Sequence, residues 1–244
     1  MDSFEIYYDH MKTLRSFLKV NGYTTNRSYE GLSEAQFYEA VDEEFKKNEI
    51  FKPISEINTD DNRVRFSGIY YKTSGDGPPE KICVCFFSTI KTTEKINNVE
   101  MIAQFLQMVF KIKDCNTAVI ITDGDLSPAA LKRISNVNTM NRSVGEYHIK
   151  HFTDKTFIDI VSNYFTPNVM RVYRGNEVAA FASQNNVTPS QFPKILISDP
   201  LSKFYMCKLG DVMQLERDTG LEANILSSQI VYRYVTDISF PKKK

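Results

Sequence analysis

The fold class predicted from the sequence is α+β / α/β: an amino-terminal α/β domain over residues 1–152, followed by a small, mainly β module over residues 153–244. Three observations carry this. TAVIIT (117–122) is short and apolar throughout, the pattern of a strand buried on both faces of a central sheet. Amphipathic stretches at helical spacing alternate with strand-like runs up to about residue 150, as in a layered α/β domain. Beyond that point the elements shorten and Pro189, Pro193 and Pro200 punctuate them.

In the first domain, Phe4, Tyr7, Tyr8, Met11, Leu14 and Leu18 recur at helical spacing, and Asn21-Gly22 supplies a stop. Ser33 and Gln36 form a capping-box signature ahead of a second stripe of Phe37, Ala40, Val41 and Phe45. NTDDN (58–62) is a turn. RVRFSGIYY and KICVCFF are strand-like, joined by the loop KTSGDGPPE. Val99, Ile102, Ala103, Leu106, Val109 and Phe110 make another helical stripe before TAVIIT. In DGDLSPAALKRI, Ser127 is placed to cap a helix whose favoured first position holds Pro128. In the second module FIDIVSNYF is read as a strand, TPNVMRVYRGNEVAAFASQNN as turn, strand and helix, and VMQLER and QIVYRYV as the closing strands.

The charge balance limits the functions available. Lys plus Arg and Asp plus Glu number 30 each, whereas a chain that grips nucleic acid alone normally carries a basic excess for the phosphates. DNA contact is therefore expected to be local or shared with partners. No apolar run reaches membrane-spanning length, and the opening MDSFEIYYDHMK lacks the basic flank and apolar stretch of a secretory signal. Cys83, Cys85, Cys115 and Cys207 form no CxxC pair, so reduced thiols are expected.

Sites for chemistry are few. Asp123-Gly124-Asp125 follows an apolar strand, where two carboxylates could hold magnesium, yet acids there also make a tight turn and oppose a helix's positive end. Cys83 and Cys85 share a strand face and read as small apolar fillers; His148 and His151 point to opposite faces and have no third group to orient them. The order of elements also fits a restriction-endonuclease-like arrangement, but such nucleases need carboxylates on a central strand, and KICVCFF carries none. Walker, GxSxG, HExxH and GxGxxG patterns are all missing from the sequence. The expectation is a non-enzymatic protein with no catalytic, cofactor or metal-binding residues.

KILISDPLSKFYMCKLGDVMQL (194–215) brings the reading to a family. Phe192-Pro193-Lys194-Ile195, Asp199-Pro200-Leu201-Ser202-Lys203-Phe204, Gly210-Asp211-Val212, Arg217 and Val231-Tyr232-Arg233 resemble, in order, the carboxy-terminal pattern of the jaw-and-assembly subunit of DNA-directed RNA polymerases. This is the fifth subunit of eukaryotic polymerases I, II and III, which has an archaeal counterpart. Upstream, Thr166-Pro167, Leu126-Ser127-Pro128-Ala129 and the Gly22-Tyr23 of VNGYTT also resemble family positions. The departures are Lys203 for Arg, Met206-Cys207 for Gly-Leu, Asn163 and Val169 for His, and a longer 218–229 segment in place of Ser-Glu-Thr-Ala-Gly. That divergence, with an insertion-prone 52–81 region, suits a lineage with its own polymerase, such as a large DNA virus.

The resemblance implies a non-catalytic subunit of a multisubunit RNA polymerase. Its first domain would form the lower jaw beside downstream duplex DNA, and its second would dock on the largest subunit. It places Ser127, Pro128, Ala129, Lys132 and Arg133 next to DNA, contacted without sequence specificity. It places Asp199, Pro200, Leu201, Lys203, Phe204, Gly210, Arg217, Tyr232 and Arg233 at the subunit interface, with Leu201, Phe204 and Met206 expected to be exposed apolar residues. The location expected is the nucleus, or a cytoplasmic viral factory or virion. The competing readings are a metal-dependent nuclease on a related fold and a free-standing transcription adaptor.

Overall fold

The computed structural model describes residues 3–24, 32–47, 67–73, 79–87, 102–103, 105–107, 109–110, 115–140, 148–222 and 225–237. NTDDN, residues 63–66 of RVRFSGIYY, 74–78 of the following loop, STIKTTEKINN and Val99 lie outside them. The chain divides into two compact units, Met1–Phe157 and Ile158–Lys244.

The first unit is built on a four-stranded sheet in the order β1-β2-β3-β4, with β1 Gly68–Lys72, β2 Glu80–Phe87, β3 Thr117–Thr122 and β4 His148–Thr153. β1 runs antiparallel to β2, whereas β2, β3 and β4 are mutually parallel. Parallel neighbours need crossovers, and the helical residues within 102–110 and α3 (Pro128–Met140) lie in those connections. β3 is buried at every residue. Alternation along the strands then sorts two core layers. Cys83, Cys85, Phe87, Ala118 and Ile120 pack with Ile102, Phe105, Leu106 and Val109, and with Ala130 and Ile134 of α3. On the opposite face Phe86 and Phe152 meet Phe157, and Phe157 meets Phe17 of α1 (Ser3–Val20). His10 sets its ring edge-on to Phe86 and lies 3.3 Å from Asp154.

Helix ends follow the local chemistry. Gly22 takes φ 78, a conformation glycine adopts without a side-chain penalty, which lets the Tyr23 amide return to Leu18 O at 2.9 Å. Tyr23 is buried and donates its hydroxyl to Glu80, while Thr24 continues onto the β1 edge through Tyr71 O. Burial first, and Glu80 second, drive the Tyr23 phenol well above its ordinary value. The Ser33–Gln36 capping box forms ahead of α2 (Glu34–Lys47). At the far edge Asn138 uses both ends of its amide on the Ile149 backbone, occupying part of the β4 rim.

FIDIVSNYF departs from the strand expected of it: residues 154–162 form helix α4 (Asp154–Ser162). Thr153 accepts the Thr156 amide at 3.4 Å as a cap, and the three-residue spacing of Phe157 and Ile160 matches a helix turn.

The second unit contains β5 Asn168–Tyr173, α5 Asn176–Gln184, β6 Lys194–Leu196, α6 Pro200–Phe204, β7 Val212–Glu222 and β8 Ile225–Thr236. Its sheet has the order β5-β7-β8-β6, antiparallel except for β6 beside β8. β7 and β8 outrun the segments expected for them. The altered 218–229 stretch is mostly ladder, with Asp218 opposite Ser228 and Glu222 opposite Ile225. The register shifts between Asp218 and Leu221, around Gly220, a residue that favours strand irregularities.

Phe157→Ala removes a fully buried ring that meets Phe17, Phe86 and Phe152. The expected cost is about 3–5 kcal/mol, read as a lowered urea midpoint with the m-value retained.

Candidate functional site

Two groups of residues need placing, one at the start of α3 and one around α6. At the first, β3 ends in Thr122, whose hydroxyl donates to Gly124 O at 2.6 Å and lies 2.9 Å from His151 Nε2. This fixes a tight turn through Asp123 and Asp125, both exposed. Leu126 is then buried, and Ser127 accepts the Ala130 amide at 3.3 Å as the cap of α3. The helix buries Ala130 and Ile134 and turns Pro128, Ala129, Lys132 and Arg133 outward. The five residues singled out from the sequence thus share one exposed end of the helix, with two cations in its second turn.

Among the described residues no cluster of three His, Cys, Asp or Glu side chains is placed to hold an ion. β2 does carry an acid, Glu80, one residue ahead of KICVCFF, where it accepts from Tyr23 and lies 3.9 Å from Lys72 Nζ. Phe87 pairs with Thr122, so Glu80 and Asp123 stand at opposite ends of the sheet, about 25 Å apart at the rise of a strand. They cannot share a metal. All four cysteines are buried and outside any disulfide, and burial raises the Cys83 thiol well above its usual range, as an inert packing residue requires.

The corner around α6 is assembled by polar contacts. Asp199 caps the helix by accepting the Leu201 amide at 2.9 Å, and Pro200 occupies the first helical position. Met206 and Gly210 adopt φ 50 and φ 92, so the chain bends back and the Gly210 amide meets Val235 O at 3.0 Å. Asp211 is buried and accepts the Lys208 amide at 2.8 Å, with Arg174 Nε at 3.8 Å. Arg174 also donates to Tyr205 O at 2.7 Å. Lys203 is held below its ordinary pKa chiefly by burial, against the opposing pull of Asp199.

Leu201 and Phe204, expected to be exposed, are 7% and 1% exposed, and Met206 is half-buried. Leu201 packs with Cys207, Met213, Leu215 and Val235 as the unit's own core. The physical reason is that a sheet this small has to cover one face, and α6 with the bend behind it is the nearest apolar material. On the other side Tyr232 joins Tyr173, Phe181 and Phe192, with Tyr173 and Phe181 stacked at 4.2 Å. Arg217 is exposed and Arg233 half-buried, its guanidinium shifted down by burial and then by Arg217.

The two large aromatics that face solvent in this unit were missed by sequence reasoning. Tyr164 and Phe165 are 73% and 88% exposed, directly after α4. Reading FIDIVSNYF as a strand hid them, since a strand would turn one of two consecutive aromatics inward. The signal available was their position beside the Thr166-Pro167 turn within a stretch free of charge from Ile160 to Met170.

Residues 158–235 match the family described as RNA polymerase Rpb5, C-terminal domain. No curated protein matches the chain. The match covers the α6 corner, all of β7, and β8 up to Val235.

Leu201→Ala and Phe204→Ala are each expected to lower stability by about 2–5 kcal/mol in urea unfolding of the full chain, whereas Arg217→Ala is expected to stay within about 0.5 kcal/mol.

Proposed function

We propose that this chain, Rpb5-like through the C-terminal domain it carries at residues 158–235, is a non-catalytic subunit of a multisubunit DNA-dependent RNA polymerase. The observation that carries the proposal is a coincidence of boundaries: the family match and the second compact unit both begin at Ile158. The second unit docks on the largest subunit, with Asp199, Pro200, Lys203, Gly210, Arg217, Tyr232 and Arg233 contributing to or shaping that contact. The first unit is the lower jaw, beside downstream duplex DNA.

Ser127, Pro128, Ala129, Lys132 and Arg133 face the duplex in this reading. The Ala129 amide at the helix start and two cations meet phosphate oxygens, which positions DNA without reading its sequence. Asp123 and Asp125 stand exposed beside them, so the chain alone binds DNA weakly and the assembled enzyme supplies the affinity. The place of action is the nucleus for a cellular polymerase, or the cytoplasmic factory or virion for a viral one.

Purification through a tag on the full chain is expected to recover the two large catalytic subunits. A monodisperse chain without them, or magnesium-dependent DNA cleavage lost on Asp123→Ala, would contradict the proposal. In the assembled polymerase, Lys132→Ala with Arg133→Ala is expected to flatten the slope of log affinity for downstream DNA against log salt by about 2.

A further inference from the structure

The Asn163–Pro167 turn is the most exposed apolar feature among the described residues and is also tightly tied. The Asn163 amide donates to Asp159 O at 3.0 Å, and Asn163 Oδ1 accepts the Phe165 amide at 2.9 Å. The Thr166 amide returns to Asn163 O at 3.0 Å, and the Thr166 hydroxyl donates to Asp159 O at 3.1 Å. Pro167 then fixes its own φ. The Tyr164 and Phe165 rings stand edge to face with centroids 5.8 Å apart. The backbone beneath two outward-facing aromatics is thus held in a set geometry in the free chain, which lowers the ordering cost of using them as an anchor.

Charge selects the class of partner. From Ile160 to Met170 the chain has no Asp, Glu, Lys or Arg, while Val161 and Met170 add exposed apolar surface at 36% and 50%. Nucleic acid would require cations for its phosphates, and none is present in this stretch. Aromatic and Met residues with charge depleted are instead the composition of a protein–protein interface core. The turn also falls inside the matched assembly domain and next to β5.

We infer that Tyr164 and Phe165 are the anchor of this unit's assembly interface, seating in an apolar pocket on the largest subunit of the same RNA polymerase. The inference rests on the polymerase-subunit reading and adds where the contact is centred: on the turn between α4 and β5 rather than on the buried side chains of α6. Substitution of these two residues leaves the core untouched, so a folded but unassembled chain is attainable.

The test uses the tagged full chain expressed in its native cells, with the largest catalytic subunit quantified after purification. Tyr164→Ser with Phe165→Ser is expected to reduce recovery of that subunit at least tenfold, with an unchanged thermal unfolding midpoint. Val20→Ser, which removes an exposed apolar side chain of the first unit, is expected to leave recovery at the wild-type level. Equal recovery by the double variant overturns the inference while the subunit reading stands. Equal loss with Val20→Ser also overturns it, because the effect would then not be specific to the turn. If the wild-type chain recovers no catalytic subunit, the subunit reading fails and the inference falls with it.

Discussion

The buried carboxylate of Asp211 and the bend around it organise the second unit. Asp211 accepts the Lys208 amide, lies near Arg174, and its own carbonyl accepts the Val235 amide. These contacts hold the segment from Asp199 to Asp211 against the last strand of the sheet. With the bend in place, Leu201, Cys207, Met213, Leu215 and Val235 close into one cluster. A buried carboxylate left without these partners would cost several kcal/mol, so the bend and the core stand or fall together. The corner is therefore an internal structural element, and its apolar residues are already committed before any partner arrives.

That commitment shapes what the unit can offer to another protein. One face of the sheet is covered by the α6 corner, and Tyr232 on the other belongs to the stack with Tyr173, Phe181 and Phe192. Arg217 and the turn carrying Tyr164 and Phe165 remain open. A residue that matches a family pattern can do so because the fold needs it, as Asp199, Pro200 and Gly210 show: a cap, a first-turn proline and a positive φ are demands of the chain itself. The first unit presents the complementary case, in which Ser127 satisfies a helix end while Lys132 and Arg133 of the same helix face solvent.

Much of this was legible in the sequence, wherever local chemistry decides the outcome. TAVIIT declared a doubly buried strand, Ser33 with Gln36 and Ser127 with Pro128 declared helix starts, and Asn21-Gly22 declared a helix end. FIDIVSNYF failed because its apolar residues fit either period, and the capping residue that precedes the helix, Thr153, lies outside the stretch itself. The length of the β7–β8 ladder failed because Gly220 looks like a loop residue yet sits at a register shift within paired strands. Exposure at α6 failed for a different reason. Whether Leu201 and Phe204 face a partner or their own sheet depends on the bend at Met206 and Gly210, a long-range outcome that composition does not encode.

The central claim is that the second unit is an RNA polymerase assembly module whose outward contact is the aromatic turn after α4. Its most direct test is an electron cryo-microscopy structure of the complex purified through this chain. The account predicts one polymerase with this chain bound through its second unit and with Tyr164 and Phe165 enclosed by another subunit. A polymerase lacking this chain, or one that binds it with both rings facing solvent, would contradict the account.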